Sequence, residues 1–283
     1  MSVLVDAHHH VWDLAVRPQE WLAGEGLAPL RRSFTLDGMR PEAEAAGVGA
    51  SVLVQTVAVA EETPEFLRLA AADPLVRGVV GWTDLTDPAI ADRLAALREL
   101  PGGARLVGIR HQVQGEPDPR WLLRPEVLRG LAAVAAAGLV YDLVVLPHQL
   151  PAAVEAARAL PHLTFVLDHL GKPPIAAGTL EPWAAELRRL ASEANTVAKL
   201  SGLVTEADWQ RWTTAGLRPY AETALMAFGP KRLMFGSDWP VCTLAASYGQ
   251  VVEAVRVLTG GLGEDERAAV FGGTATRVYG LNL

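Results

Sequence analysis

Two histidines at spacing two, His8 and His10, follow the first apolar run, Val3–Ala7, and an aspartate, Asp238, stands just past the last, Arg232–Gly236. Alternate residues of a strand point to one face, so His8 and His10 can aim two imidazoles at one point while His9 turns away. Reactive side chains also end the runs between: Gln55; Trp82 and Asp84; Arg110, His111 and Gln112; His148; Asp168 and His169; Lys199 and Ser201. Six of the seven histidines fall at such ends; His162 alone does not, and is expected in an exposed loop.

Imidazole nitrogens plus a carboxylate, with one position left to water, make a catalytic divalent metal site. Such an ion acidifies its water and polarises a carbonyl, and Asp238 would serve both as ligand and as base. One ion, zinc or manganese, is expected, because the fourth run offers Arg110-His111 rather than a lysine able to bridge two. The same residues can also work without metal, the imidazoles hydrogen-bonding a carbonyl while Asp238 activates water. The third imidazole is either His169 or His148. His169 directly follows Thr164–Asp168 and is favoured, with a second role in proton transfer; His148 follows Pro147, which can turn the chain and leave it as a helix cap.

Arg110 and Lys199 suit an anionic or polyhydroxylated substrate, a guanidinium gripping it bidentately and an ammonium acting as a point charge. Ion pairs with Asp142 or Asp84 are their competing role. Trp12, Trp82 and Trp239 can stack on the apolar face of a sugar ring, and Gln112 adds a polar contact. Asp6 shares the strand pattern of His8 and His10 and is expected to fix a neighbouring side chain.

These groups converge only if a repeating scaffold carries them. The strand candidates are Val3–Ala7, Ser51–Val57, Arg77–Thr83, Leu106–Arg110, Val140–Leu146, Thr164–Asp168, Thr196–Leu200 and Arg232–Gly236. Between them the patterns predict helices over Leu36–Ala46, Pro64–Ala72, Asp87–Glu99, Arg124–Ala137, Pro151–Ala159, Glu181–Glu193 and Leu217–Phe228, then Ser247–Leu258 and around Glu264–Phe271. Strands that alternate with helices and lack polar alternation are buried on both faces, as in a parallel sheet. Eight such units without a GxGxxG loop predict a (β/α)8 barrel, one domain over residues 1–283, with its chemistry at the carboxyl ends of the strands.

The net charge of −7, with no cluster of Lys and Arg, argues against nucleic acid as a partner. The lone Cys242 forms no internal disulfide, and neither a signal segment nor an apolar run of membrane-spanning length is evident. A cytoplasmic protein acting on a small molecule is expected, of unspecified oligomeric state.

Four segments resemble the amidohydrolase superfamily, in particular its branch of sugar-lactone and pyrone-dicarboxylate lactonases. They are Val5–Trp12 (VDAHHHVW), Val107–His111 (VGIRH), Leu167–Pro173 (LDHLGKP) and Met234–Pro240 (MFGSDWP). The resemblance implies a barrel that hydrolyses a lactone to its hydroxy acid, with His8, His10, His169 and Asp238 at the reaction centre and Arg110 at the substrate. Members of the branch differ in whether they need a metal. A sugar lactone is the better expectation, since Arg110 is the only arginine directly at a strand end, too few for an aromatic-like diacid. The alternatives are a metal-dependent decarboxylase of an unsaturated or aromatic acid and, more distantly, a non-catalytic binding barrel.

Overall fold

The computed structural model describes residues 3–283. The apolar runs form one parallel sheet in chain order: β1 (Leu4–His9), β2 (Val48–Val54), β3 (Val76–Gly81), β4 (Leu106–His111), β5 (Val140–Leu143), β6 (Phe165–Leu167), β7 (Thr196–Leu200) and β8 (Leu233–Phe235). Beyond the last ladder, backbone bonds from Asp238 N to His8 O (2.8 Å) and from His10 N to Trp239 O (2.7 Å) join β8 back to β1. The closed barrel thus brings the two ends of the sequence together at the expected reactive residues.

Eight helices follow the strands around the barrel: α1 (Leu36–Ala45), α2 (Glu62–Ala72), α3 (Ile90–Glu99), α4 (Pro125–Ala136), α5 (Leu150–Ala159), α6 (Trp183–Ala191), α7 (Thr214–Phe228) and α8 (Tyr248–Leu258). Their apolar faces cover the outside of the sheet, giving the main core. A second, inner core includes Ala7, Val52, Val80, Val166 and Met234. The final helical stretch breaks where the sequence suggests continuity. A widened turn over Ala269–Gly273 separates α9 (Glu264–Ala268) from α10 (Thr274–Tyr279), and Tyr279 joins the inner core from below. Among the described residues no helix is long and apolar enough to cross a membrane.

Strand ends shift for local reasons. β2 begins at Val48 because Val48 and Ala50 already pair with β1, and it stops before Gln55–Val57. There the buried Glu62 carboxylate accepts from the amides of Thr56 (2.8 Å) and Val57 (3.3 Å), turning the chain out of the sheet. β5 ends at Leu143 rather than Leu146; Val144 instead accepts from Gln114 N (3.0 Å).

Candidate active site

β1 does not alternate cleanly. Its pairing with β2 steps from Asp6↔Ser51 to His9↔Leu53, three residues against two, so a bulge lies at Ala7-His8. Asp6 therefore parts from His8. Its carboxylate accepts from Ser237 N (2.8 Å), Ser237 Oγ (2.6 Å), Tyr248 OH on α8 (2.9 Å) and His8 N (3.1 Å). It fixes the turn that carries Asp238 rather than a neighbouring imidazole. His9 turns away as expected and meets Ser51 Oγ at 3.0 Å. His8 and His10 converge, their Nε2 atoms 3.1 Å apart.

Asp238 Oδ1 lies 3.6 Å from His10 Nε2, 3.8 Å from His8 Nε2 and 3.8 Å from His169 Nε2. Donors about 2.0–2.1 Å from a tetrahedral ion stand about 3.3 Å apart; the His8–His10 pair, at 3.1 Å, is close to that and the three distances to Asp238 are somewhat longer. The far side of each ring agrees. His10 Nδ1 meets Val54 O (2.8 Å), His169 Nδ1 meets Ser201 Oγ (2.9 Å), and His8 Nδ1 faces Asp168 Oδ1 (3.2 Å). Each partner can take an Nδ1 proton, leaving Nε2 as a lone-pair donor toward the common point. Burial holds all three imidazoles below their ordinary range, His169 at about 4, so they are neutral at pH 7. Burial opposes ionisation of Asp238, but His169 and His10 more than reverse it and lower its pKa. The ligand atoms of His8, His10 and Asp238 lie within 4.8 Å of one another and suit a divalent cation, with His169 adjoining through Asp238. A second grouping, His8, Asp168 and His169, is less suited because Asp168 is already bound by two cations.

Those cations are Arg110 and Lys199. Arg110 donates from Nη1 to Asp168 Oδ2 (2.9 Å), from Nε to Gln55 Oε1 (2.8 Å) and from Nη2 to the Gln55 carbonyl, and Nη1 reaches within 3.4 Å of His8 Nε2. It also lines the cavity above the imidazoles. Lys199 does not. It is wholly buried beneath His8, pairing with Asp142 Oδ2 (2.5 Å) and Asp168 Oδ1 (2.9 Å), and its ammonium stands 3.0 Å from His8 Nδ1. The expectation that it meets substrate is corrected: the buried carboxylates of Asp142 and Asp168 draw its ammonium into the barrel, and its competing role, pairing with Asp142, is the observed one. Asp84 pairs with neither cation; it is exposed and accepts from Thr86. The two buried cations and two carboxylates sum to zero charge, which keeps the protein interior under His8 electrically neutral.

The chain after β6 is strained. His169 (φ 51°), Leu170 (φ 52°), Gly171 (φ 70°) and Lys172 (φ 55°) form one left-handed turn, and three of them carry a Cβ. Left-handed backbone costs about 1–2 kcal/mol per non-glycine residue, so this turn persists for what it presents. Its two ends, His169 and Lys172, both line a cavity of about 370 Å³. Gly202 permits the arrangement. At φ +66° its backbone passes so close that a Cβ would sit 2.6 Å from His169 Nδ1.

That cavity collects His10, His169, Asp238, Arg110 and Gln112, with Gln112 also donating to Thr56 O (2.6 Å). It adds residues the sequence did not point to: Lys172, Glu206, Trp21 and Trp209. The three tryptophans expected there are elsewhere. Trp12 is buried and donates to Arg32 O (2.7 Å); Trp239 is buried against Phe34; Trp82 donates to His111 Nδ1 (3.0 Å) beside a separate surface hollow. His111 stacks on Trp121 at 4.3 Å. His148 is exposed in the turn before α5 and is not part of the cavity, so of the two candidates only His169 adjoins Asp238; His162 is exposed as expected.

Comparison with known proteins agrees with this geometry. A family model described as amidohydrolase matches residues 5–281. The chain is similar to an L-fucono-1,5-lactonase of Burkholderia multivorans, 43% identical over 99% of this chain and 97% of that protein. An L-fucono-1,5-lactonase of Burkholderia ambifaria is 34% identical over 100% of this chain and 97% of its own. A crystal structure of an amidohydrolase from Burkholderia multivorans with bound zinc has a TM-score of 0.94 at 40% identity, covering 99% of this chain and 100% of that one. With a match that runs from the first strand to the C-terminal helix, the chain belongs to the amidohydrolase family.

Proposed function

We propose that the protein hydrolyses a lactone of a sugar acid to the open hydroxy acid, with L-fucono-1,5-lactone the first substrate to test. The observation that carries this reading is the clustering of His8, His10 and His169 around Asp238 at one end of a cavity. Full-length similarity to two L-fucono-1,5-lactonases supports the substrate class.

The four side chains would hold one divalent ion, zinc or manganese, which when bound polarises a carbonyl and lowers the pKa of water. The zinc-bound relative favours zinc. The chain's own groups do the rest. Asp238 turns Oδ1 to the imidazoles and leaves Oδ2 to take a proton from the attacking water. Arg110, fixed by Asp168 and Gln55, directs its guanidinium edge at the carbonyl oxygen as charge builds there. Water oxygen bonds to the ring carbonyl carbon, the carbon to ring-oxygen bond breaks, and the proton held by Asp238 passes to the departing ring oxygen. The product is a hydroxy acid that ionises at neutral pH and releases one proton.

A pH-indicator assay over aldonolactone stereoisomers, with and without added zinc or manganese, tests the reading. Proton release without CO2 is expected. Release of CO2 from an unsaturated or aromatic acid would move the protein to the decarboxylase alternative, and binding without turnover would make it a binding barrel.

A further inference from the structure

Lys199 is enclosed by groups of the barrel, and Arg110 is pinned by Asp168 and Gln55. Lys172 is different. It stands at the end of the left-handed turn, about a quarter exposed, with its Nζ 3.5 Å from Glu206 Oε1. That is longer than a good charge-assisted hydrogen bond, which closes to about 2.7–2.9 Å. Among the described residues neither the ammonium nor the carboxylate has another side-chain or backbone partner within hydrogen-bond distance. Glu206 comes from the loop after β7 and Lys172 from the loop after β6, and both face the cavity that holds Asp238 and His169. Three N–H donors and a carboxylate's acceptor sites are therefore left open, side by side, in a partly dry wall.

A hydroxyl is the group that fits between them. It donates to the carboxylate and accepts from the ammonium at once, which neither a carboxylate nor an alkyl group can do. A ring-opened or closed sugar acid carries several such hydroxyls, and only one configuration at a given carbon turns its hydroxyl toward this wall. The strained turn adds an independent sign, since a relaxed turn would not need to send Lys172 back over the same cavity as His169. Burial raises the Glu206 carboxyl and Lys172 opposes that only in part.

We infer that Lys172 and Glu206 form a hydroxyl clamp that sets the stereochemical preference of the enzyme by bridging one ring hydroxyl of the sugar lactone. This rests on the reading of the site as a sugar-lactone hydrolase, and it makes the pair specificity-determining rather than catalytic. A site that hydrogen-bonds a hydroxyl discriminates strongly against a ligand that leaves its polar groups unpaired.

The test uses Lys172→Met, Glu206→Gln and the double variant, each metal-loaded, on the preferred lactone and its epimers at the ring carbons. Each single variant should lower kcat/KM for the preferred lactone by about tenfold or more and shrink the ratio between epimers, and the double variant should add little, because one hydroxyl bridges both. Lys172→Gly should lose discrimination equally while keeping Tm, since glycine relaxes the left-handed position. Calorimetric binding of the epimeric aldonates to wild type and variants runs alongside. If wild type separates the aldonate epimers and the variants do not, yet no lactone is opened, the hydrolase reading fails and the clamp stands. If wild type does not separate the epimers, or the variants keep its epimer ratio, the clamp is wrong whatever the turnover. Equal losses on every epimer would also overturn it, marking the pair as structural.

Discussion

Lys199→Met deletes one charge from a buried set of four, and the consequence can be worked through. In the wild type Arg110 and Lys199 balance Asp142 and Asp168, all of them nearly or wholly inaccessible. Removing the ammonium leaves one carboxylate uncompensated, and breaking a buried pair costs about 3–5 kcal/mol. The protein has one escape, which is to take up a proton. Asp168 keeps Arg110, so the proton goes to Asp142, whose carboxyl burial already pushes up to about 6 with Lys199 beside it. In the variant that pKa rises further, while in the unfolded chain it returns to 3.8. A group whose folded pKa is raised favours the folded state at low pH and loses that stability as pH climbs through the folded pKa. Relative to wild type, the variant therefore holds one extra proton above pH 6, and each further unit costs about 1.4 kcal/mol. The expected loss is about 1 kcal/mol or less at pH 5 and about 3 kcal/mol at pH 8. Urea denaturation of chelator-treated protein across that range measures it. In Lys199→Met/Asp142→Asn, where no proton is needed, this site's fall in stability from pH 5 to pH 8 should disappear. A loss in Lys199→Met that is the same at pH 5 and pH 8 would refute the neutral four-charge set.

Three further outcomes are expected. Gly202→Ala places a methyl 2.6 Å from His169 Nδ1 at a positive φ, so turnover should fall by about tenfold or more together with metal content by mass spectrometry; full activity would show that His169 has freedom the packing denies it. His148→Ala, at an exposed turn, should leave kcat/KM within about twofold, and a large loss would restore His148 as the third imidazole. Buried His9 is held neutral with its pKa at about 3, mainly by burial, against 6.5 unfolded. A lowered histidine pKa gives stability that is complete above pH 6.5 and drains away as pH falls toward 3, by about 1.4 kcal/mol per unit. His9→Gln should flatten that acid limb in denaturation curves, and an unchanged slope would place the proton uptake elsewhere.

The barrel was legible because its signal is repetitive: apolar runs of strand length, each followed by a helical pattern, need no detail of side-chain geometry to be counted. The candidate site was legible for a related reason, since His8, His10, His169 and Asp238 end runs that a barrel must bring to one rim. The depth of a side chain was not. Lys199 reads like Arg110 at the level of the sequence, and each is the residue before last of its strand, yet Asp142 and Asp168 hold Lys199 wholly buried while Arg110 reaches the cavity wall. Asp6 was misplaced because a bulge at Ala7-His8 breaks the two-residue period, and nothing in the composition of β1 announces it. The cavity tryptophans and the Lys172–Glu206 pair come from loops, where no periodicity constrains direction. The left-handed turn at 169–172 was hidden for the opposite reason: only Gly171 advertises it, and the other residues adopt it against their own preference.

The central claim is that His8, His10, His169 and Asp238 together open a sugar lactone, with Asp238 moving the proton. The most direct measurement is the rate of proton release from L-fucono-1,5-lactone by zinc-replete wild type and Asp238→Asn, with metal content determined on the same samples. The account predicts rapid hydrolysis by wild type and a loss of about 10²-fold or more in the variant, the usual worth of a positioned base, with the fold intact by circular dichroism. An Asp238→Asn protein that opens the lactone at the wild-type rate with normal metal content would contradict it.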